Sequence, residues 1–345
     1  MNSELTSLIE SGIPGLVFAS SHEGRRSTTS IGNRSSLDLA SPLLMTNETS
    51  FDLGSLTKII ITTSALMDLV HEKKISLEDK ISKYISQWNI SEKSEITIRE
   101  LLQHRGGLWE WRPLYISLQD PSEVVDYIAR LPLRYPVNQN RHYSDLGFIT
   151  LGNVVARILG TGLESLEFAH TKFGAPDDKS DVAATSRGDR LEREMVGSHA
   201  PYPVPEKVED FNQWRTHVLS GEVNDGNSFH LMGSVSGHAG LFSTAEDLLD
   251  FGERIERHPQ FEIFTRSGAD ADAHLGFRSW VDTFEGCADR FYGHTGFPGT
   301  VLGISSRHEA VATLLTNRLH VEGAPRPTEE LWRPILRSFH QSLHR

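Results

Sequence analysis

The sequence predicts an α+β fold in which strands from both ends of the chain meet in one antiparallel sheet and helices fill the middle. Three observations predict it: short β-like runs near the N-terminus, more of them in the last third, and helix-start signals between the two groups. Gly15 to Ser20 and Ser27 to Gly32 flank the turn-like His22-Glu23-Gly24, which predicts an early hairpin. After Gly54, apolar positions Ile59, Thr63, Leu66, Leu69 and Val70 recur at helical spacing, so an amphipathic helix is expected to open at Ser55. Thr97-x-x-Glu100 and Thr244-x-x-Asp247 are capping boxes that start two more helices, the second carrying Leu248, Leu249, Phe251 and Ile255. Between residues 176 and 227 the chain is polar and irregular, with Pro176, Pro201, Pro203 and Pro205. Its Phe211, Trp214 and Val218 favour an ordered excursion over the surface rather than a flexible linker. Phe291 to His294, Thr300 to Ile304 and Ala310 to Thr316 read as three further strands, and Leu331, Trp332, Ile335, Leu336 and Phe339 as the apolar face of a last helix.

Composition bounds the function. With 345 residues, 38% of them hydrophobic, the chain can fill one large domain or two intimately packed ones. The net charge of −12 argues against nucleic acid or an anionic membrane as a partner held by general electrostatics. Residues Met1 to Thr6 lack the basic start and apolar stretch of a secretory signal, and no segment approaches a membrane span, so a cytoplasmic location is expected. Cys287 is the only cysteine, which excludes an intrachain disulfide and a cysteine metal cluster. Templates for a nucleophile elbow, a phosphate loop and a zinc helix are absent; His71-Glu72 begins the last, but Ile75 stands where its second histidine belongs.

Ser55-Leu56-Thr57-Lys58 is the one place where a serine precedes a lysine by three positions. Three residues is nearly one helical turn, so both side chains share a face. A serine hydroxyl needs a neighbour to take its proton, and a partly desolvated lysine can do so because burial disfavours its charged form. Taken alone, Ser-x-x-Lys is a weak signal and usually an exposed helical start. Tyr143-Ser144-Asp145 precedes the apolar run Leu146, Phe148, Ile149, Leu151, Val154 and Val155, and His294-Thr295-Gly296 follows a β-like run and leads into Phe297-Pro298-Gly299. Read singly, Tyr143 is also a core tyrosine before a helix and His294 a satisfied strand histidine.

In this order and at these intervals, the three elements resemble those of the serine β-lactamase and penicillin-binding-protein superfamily. The similar branch is the tyrosine-containing one of class C β-lactamases, D-alanyl-D-alanine peptidases and family VIII carboxylesterases. The segments Leu101-Leu102-Gln103-His104-Arg105-Gly106-Gly107-Leu108, Gly221-Glu222-Val223-Asn224-Asp225-Gly226-Asn227 and Gly237-His238-Ala239-Gly240-Leu241-Phe242-Ser243-Thr244 add to the resemblance, which spans Ile13 to about Asn317. It implies a β-lactamase/transpeptidase-like fold, with residues 1–60 and 235–345 forming a sheet domain and 61–234 a mostly helical one. It also implies an acyl-enzyme on Ser55, with Lys58 and Tyr143 shuttling the proton and the backbone N–H groups of Ser55 and Phe297 forming an oxyanion hole. Asp145, His294, Thr295 and Gly296 would meet the substrate, Gly296 by letting it lie against the backbone. Trp109, with Trp111 and Tyr115, would form an aromatic rim, or else pack a long loop. His104 and His238 read as structural residues that organise loops beside glycines.

Two departures from the family pattern are informative. Asp145 stands where most β-lactamases have asparagine, and a carboxylate cannot donate the amide N–H used on a substrate carbonyl. It is expected instead to pair with Lys58. His294 replaces the usual lysine, and a histidine near its ordinary pKa of about 6.5 would hold a substrate carboxylate better in mild acid. The leading expectation is an esterase of short-acyl or broad specificity. The alternatives are a D-alanyl-D-alanine carboxypeptidase or β-lactamase, and a catalytically silent binding domain, which the complete set of Ser55, Lys58 and Tyr143 disfavours. The substrate is a small ester, amide or β-lactam, and the chemistry requires no metal or organic cofactor. Nothing in the sequence speaks to oligomeric state.

Overall fold

A computed structural model describes residues 1–90, 92–166, 171–174, 179–196, 208–266, 270 and 273–344. In chain order the first strands are β1 (Gly15–His22), β2 (Arg25–Ser35), β3 (Leu43–Leu44), β4 (Phe51–Asp52), β5 (Lys172–Phe173) and β6 (Ala184–Arg187). They are followed by β7 (Val218–Ser220), β8 (Leu241–Ser243), β9 (Arg278–Phe284), β10 (Cys287–Gly296), β11 (Thr300–Ser305) and β12 (Ala310–Thr316). Seven of these form one antiparallel sheet in the order β3-β2-β1-β12-β11-β10-β9, so β1 from the N-terminus lies against β12 from the C-terminus. The hairpin β1–β2 turns at Glu23-Gly24 as the sequence predicts.

Side chains of a strand alternate between faces, and here both faces are covered. Leu16, Phe18, Val301, Ala312 and Leu314 pack with Leu5 and Leu8 of the Asn2–Glu10 helix and with Leu331, Trp332, Ile335, Leu336 and Phe339 of the Thr328–Ser342 helix. Val17, Ala19, Leu302, Ile304, Val311 and Leu315 point the other way, toward Leu248, Leu249 and Phe251 of the Ala245–Glu256 helix. Both predicted capping boxes form, at Thr97 with Glu100 and at Thr244 with Asp247. No described helix is long and apolar enough to cross a membrane.

Three expectations need correction. The helix after Ser55 is not amphipathic: every residue from Leu56 to Met67 is buried, because this segment runs through the largest apolar cluster. It begins as a π-helical stretch, Lys58–Thr63, before continuing as the Ser64–His71 α-helix. Strand β9 was not expected, since Arg278, Asp282 and Thr283 are polar; it is an edge strand in which only the adjacent Ser279 and Trp280, on opposite faces, are buried. The irregular region is more than a surface excursion. Its β6 pairs with β7, Phe211 and Trp214 pack on the main core, and Arg215 makes a buried ion pair of 2.7 Å with Asp189. Pro176, Pro201, Pro203 and Pro205 lie outside the described residues.

Candidate active site

Gly54 precedes the serine with φ +52°, and a Cβ there would come within 2.5 Å of Pro298 Cδ, so the turn that presents Ser55 requires glycine. Lys58 is fully buried, and its Nζ makes three donor contacts: Ser55 Oγ at 2.8 Å, the His238 carbonyl at 3.1 Å and Asp145 Oδ1 at 2.7 Å. The Tyr143 ring lies beside this group, its centroid 5.0 Å from Lys58 Nζ. The predicted pair of Asp145 with Lys58 is therefore present. Burial opposes the charge on Lys58, but Asp145 and Tyr143 outweigh it and hold the ammonium pKa above its ordinary value. Burial raises the Tyr143 phenol, against the lowering pull of Lys58. The resting pair is thus an ammonium and a neutral phenol.

The Asp145–Leu159 helix is capped by Ser144, whose hydroxyl accepts from Gly147 N at 3.1 Å and donates to the Trp109 carbonyl at 2.7 Å. This cap sets Asp145 at the first helical position and Tyr143 just outside it. His104 fixes the same corner: its Nδ1 accepts from Ser144 N at 3.0 Å and its ring lies 4.4 Å from that of Tyr143. Burial, with Arg141, Lys58 and His294 nearby, keeps His104 neutral, as an acceptor at Nδ1 must be.

On the opposite wall, strand β10 brings in His294, Thr295 and Gly296. His294 is 1% exposed, its Nδ1 lies 2.7 Å from the Thr295 carbonyl, and its ring faces Tyr143 at 5.8 Å. Burial, then Lys58 and Arg278, push its pKa well below 6.5. This argues against the expected mildly acidic carboxylate switch, because burial disfavours the charged imidazole. Gly296 also has a different use: a Cβ there would strike Thr300 Oγ1 and the Leu53 carbonyl, which bond to each other at 2.8 Å, so the glycine serves the approach of β10 to the Ser55 turn. Phe297 N lies beside Gly54, as a partner for the Ser55 N–H would, and the Phe297 carbonyl is held by Arg318 at 2.6 Å.

Two pockets open on Ser55. One, of about 340 Å³, is lined by Arg141, Arg278, Arg318, Thr295, Tyr143 and Phe297. Arg278 donates to Thr295 Oγ1 at 2.9 Å, which leaves the threonine proton available to a ligand. The other, of about 180 Å³, carries Asp52, Asp145, Asp189, Glu192, Asp225 and His238 beside the apolar Trp111, Leu191 and Met195. Burial raises Asp52 to about 6, and burial together with Asp225 raises Glu192 to about 8. Trp111 lines this pocket, whereas Trp109 is not among its described lining residues. The Trp109 ring is stacked between Arg112 and Arg134, at 4.9 and 4.8 Å, and its indole N–H goes to the Pro132 carbonyl. Tyr115 is buried against Glu192. Of the three, Trp111 alone is among the described residues that line a pocket opening on Ser55.

Of the acidic wall only Asp145 was singled out from sequence; the segment Gly221 to Asn227, noted there for its resemblance, contributes Asp225 and backbone N–H groups that hold Asp52 and Glu192. Asn224 N donates to Asp52 at 2.6 Å, Gly226 N to Glu192 at 2.5 Å, and Asn227 bridges Leu114 N and the Arg112 carbonyl. His238, read as structural, closes this network through Asp225 at 3.0 Å and Ser236 at 2.7 Å.

Comparison with known proteins identifies the family. The family profile described as Beta-lactamase matches residues 3–333. The chain is 30% identical to the N-acetylmuramyl-L-alanine amidase of Bacillus subtilis, over 90% of this chain and 79% of that protein. It is 30% identical to the putative D-alanyl-D-alanine carboxypeptidase of Escherichia coli, over 81% of this chain and 71% of that one. The class C beta lactamase of Rhodobacter sphaeroides shares the fold, with a TM-score of 0.66 at 19% identity over 97% of this chain and 99% of that one. The chain belongs to the Beta-lactamase family and is a serine hydrolase.

Proposed function

We propose that this protein is a serine amide hydrolase that cleaves short peptides with a free C-terminal carboxylate, a carboxypeptidase rather than the broad esterase first expected. The observation that carries this reading is the pocket of Arg141, Arg278, Arg318 and Thr295 opening on Ser55, whose charge and donors suit a carboxylate on the leaving-group side. Similarity to an amidase and to a putative carboxypeptidase supports it. In this reading Ser55 Oγ attacks the scissile carbonyl, and the oxyanion meets the N–H groups of Ser55 and Phe297. The Lys58–Tyr143 pair, having lost one proton, accepts that of Ser55 and returns it to the leaving amine. Phenolate with ammonium and phenol with amine are the same protonation level of the pair, so one macroscopic pKa governs activation.

The test is turnover of N-acetyl-D-alanyl-D-alanine against its C-terminal amide. A charged hydrogen bond worth about 1.5–3 kcal/mol predicts a preference of roughly 10- to 100-fold for the free acid, lost in Arg141→Ala. Equal turnover of acid and amide would refute the reading. One observation favours an ester hydrolase instead: Asp145 offers a substrate amide no N–H. That reading predicts p-nitrophenyl butyrate turnover exceeding peptide turnover with no response to Arg141→Ala.

A further inference from the structure

Sixteen histidines are spread along this chain, yet three of them converge at one place remote from Ser55. His340 and His344 are four residues apart, at and just beyond the end of the Thr328–Ser342 helix, and therefore on one face. His308 reaches them from the turn between β11 and β12. One ring nitrogen from each lies within 4.8 Å of the others.

The orientation of the rings matters more than their proximity. His340 is fully buried, and its Nδ1 is held at 2.9 Å by the carboxylate of Asp282 on β9. That contact places the proton on Nδ1 and leaves Nε2 as a lone pair, the outer carboxylate arrangement that orients metal-binding histidines. The Nε2 atom of His340 then faces Nε2 of His344 at 3.2 Å. Two imidazole nitrogens bound at about 2.0–2.1 Å to one tetrahedral ion stand about 3.3 Å apart. His308 Nε2 is buried with no hydrogen-bond partner, 3.6 Å from Asp289 Oδ2.

We propose that His308, His340 and His344 bind a divalent transition metal of the Zn²⁺ type, with water or Asp289 in the fourth position, and that the ion fastens the C-terminal helix to the sheet. Three neutral imidazoles suit zinc, nickel or copper and not the oxygen-seeking magnesium or calcium. The site is structural by its position. Strand β11 leaves the Ser55 turn at Thr300 and reaches Ser305 before His308, and β10 carries Asp289 near the end opposite Thr295. At about 3.3 Å per residue, that separates the cluster from the nucleophile by the length of the strand.

The experiment is titration of the EDTA-treated full chain with Zn²⁺, followed by calorimetry and by melting temperature, on the wild type, His308→Ala and His344→Ala. The expected result is one ion per chain, a melting temperature raised by several degrees, and affinity reduced in both variants by no less than the about 10- to 100-fold typical of losing an outer-shell partner. Co²⁺ should give the visible absorption of a tetrahedral site, and hydrolytic turnover should be unchanged in both variants and after metal removal. Absence of saturable binding would overturn the proposal. So would binding that survives both substitutions, which would put the ion elsewhere, or turnover that disappears with the metal.

Discussion

At Lys58 three acceptors, Ser55, Asp145 and the His238 carbonyl, surround a buried ammonium, and the Asp145 carboxylate is the one that raises its pKa. Deprotonation of the Lys58–Tyr143 pair must therefore proceed against a fixed negative charge. In Asp145→Asn that charge is gone, the pKa of the pair falls, and the rising limb of the pH–kcat/KM profile should move to lower pH by about 1–3 units; an unmoved limb would contradict the role. His294 gives the opposite kind of prediction. With its pKa well below 6.5, it changes charge outside the range of ordinary assays, so KM for a carboxylate substrate should show no inflection near 6.5 between pH 5.5 and 8. A tightening in mild acid would restore the switch that burial argues against. The four residues Ser55, Lys58, Tyr143 and Asp145 were legible because each sits in a short local motif. The arginines were not: Arg141, Arg278 and Arg318 come from three distant segments and converge only in space. His294 was legible in position and misleading in chemistry, since sequence shows a residue type but not its burial.

The elements that hold the site were legible where local chemistry defines their ends. Thr97 and Thr244 both accept from their third helical residue and receive the reciprocal carboxylate. Thr244→Ala should cost about 0.5–2 kcal/mol in denaturant unfolding, and Thr244→Ser much less. A neutral alanine substitution would mean the cap is redundant with packing. Where tertiary contacts decide, the sequence misled. The helix behind Ser55 carries polar Thr57 and Thr62, which suggest a wet face. In the fold Thr57 Oγ1 accepts from Leu241 N and Thr62 donates to the Gly237 carbonyl, so these hydroxyls are satisfied inside. The short strands β4, β5 and β8, two or three residues each, have no periodicity long enough to read.

Across the whole molecule, the joining of both termini in one sheet was visible because β1, β11 and β12 are apolar runs bounded by turns. Register and the two-sided covering followed only from the folded chain. The segment from β6 to β8 closes the site with buried carboxylates of opposite behaviour, and these set how stability responds to pH. Asp189, paired with His230 and Arg215, is lowered to about 2; its contribution is present above the unfolded value of 3.8 and is lost as pH falls toward 2. Glu192 is raised to about 8, so its contribution is present below 4.5 and is lost as pH rises through 8. Glu192→Gln should therefore unfold at a higher temperature than the wild type at pH 8.5 and lose that advantage at pH 5. The same advantage at both pH values would show that the carboxyl does not titrate in the fold.

The proposed chemistry depends on Ser55 as the nucleophile. Intact-protein mass after exposure to a fluorophosphonate, measured on the wild type and Ser55→Ala, tests it most directly. A single adduct is expected on the wild type and none on the variant, with ester and peptide turnover lost together with the serine. An unlabelled wild type, or an adduct that persists in Ser55→Ala, would contradict it.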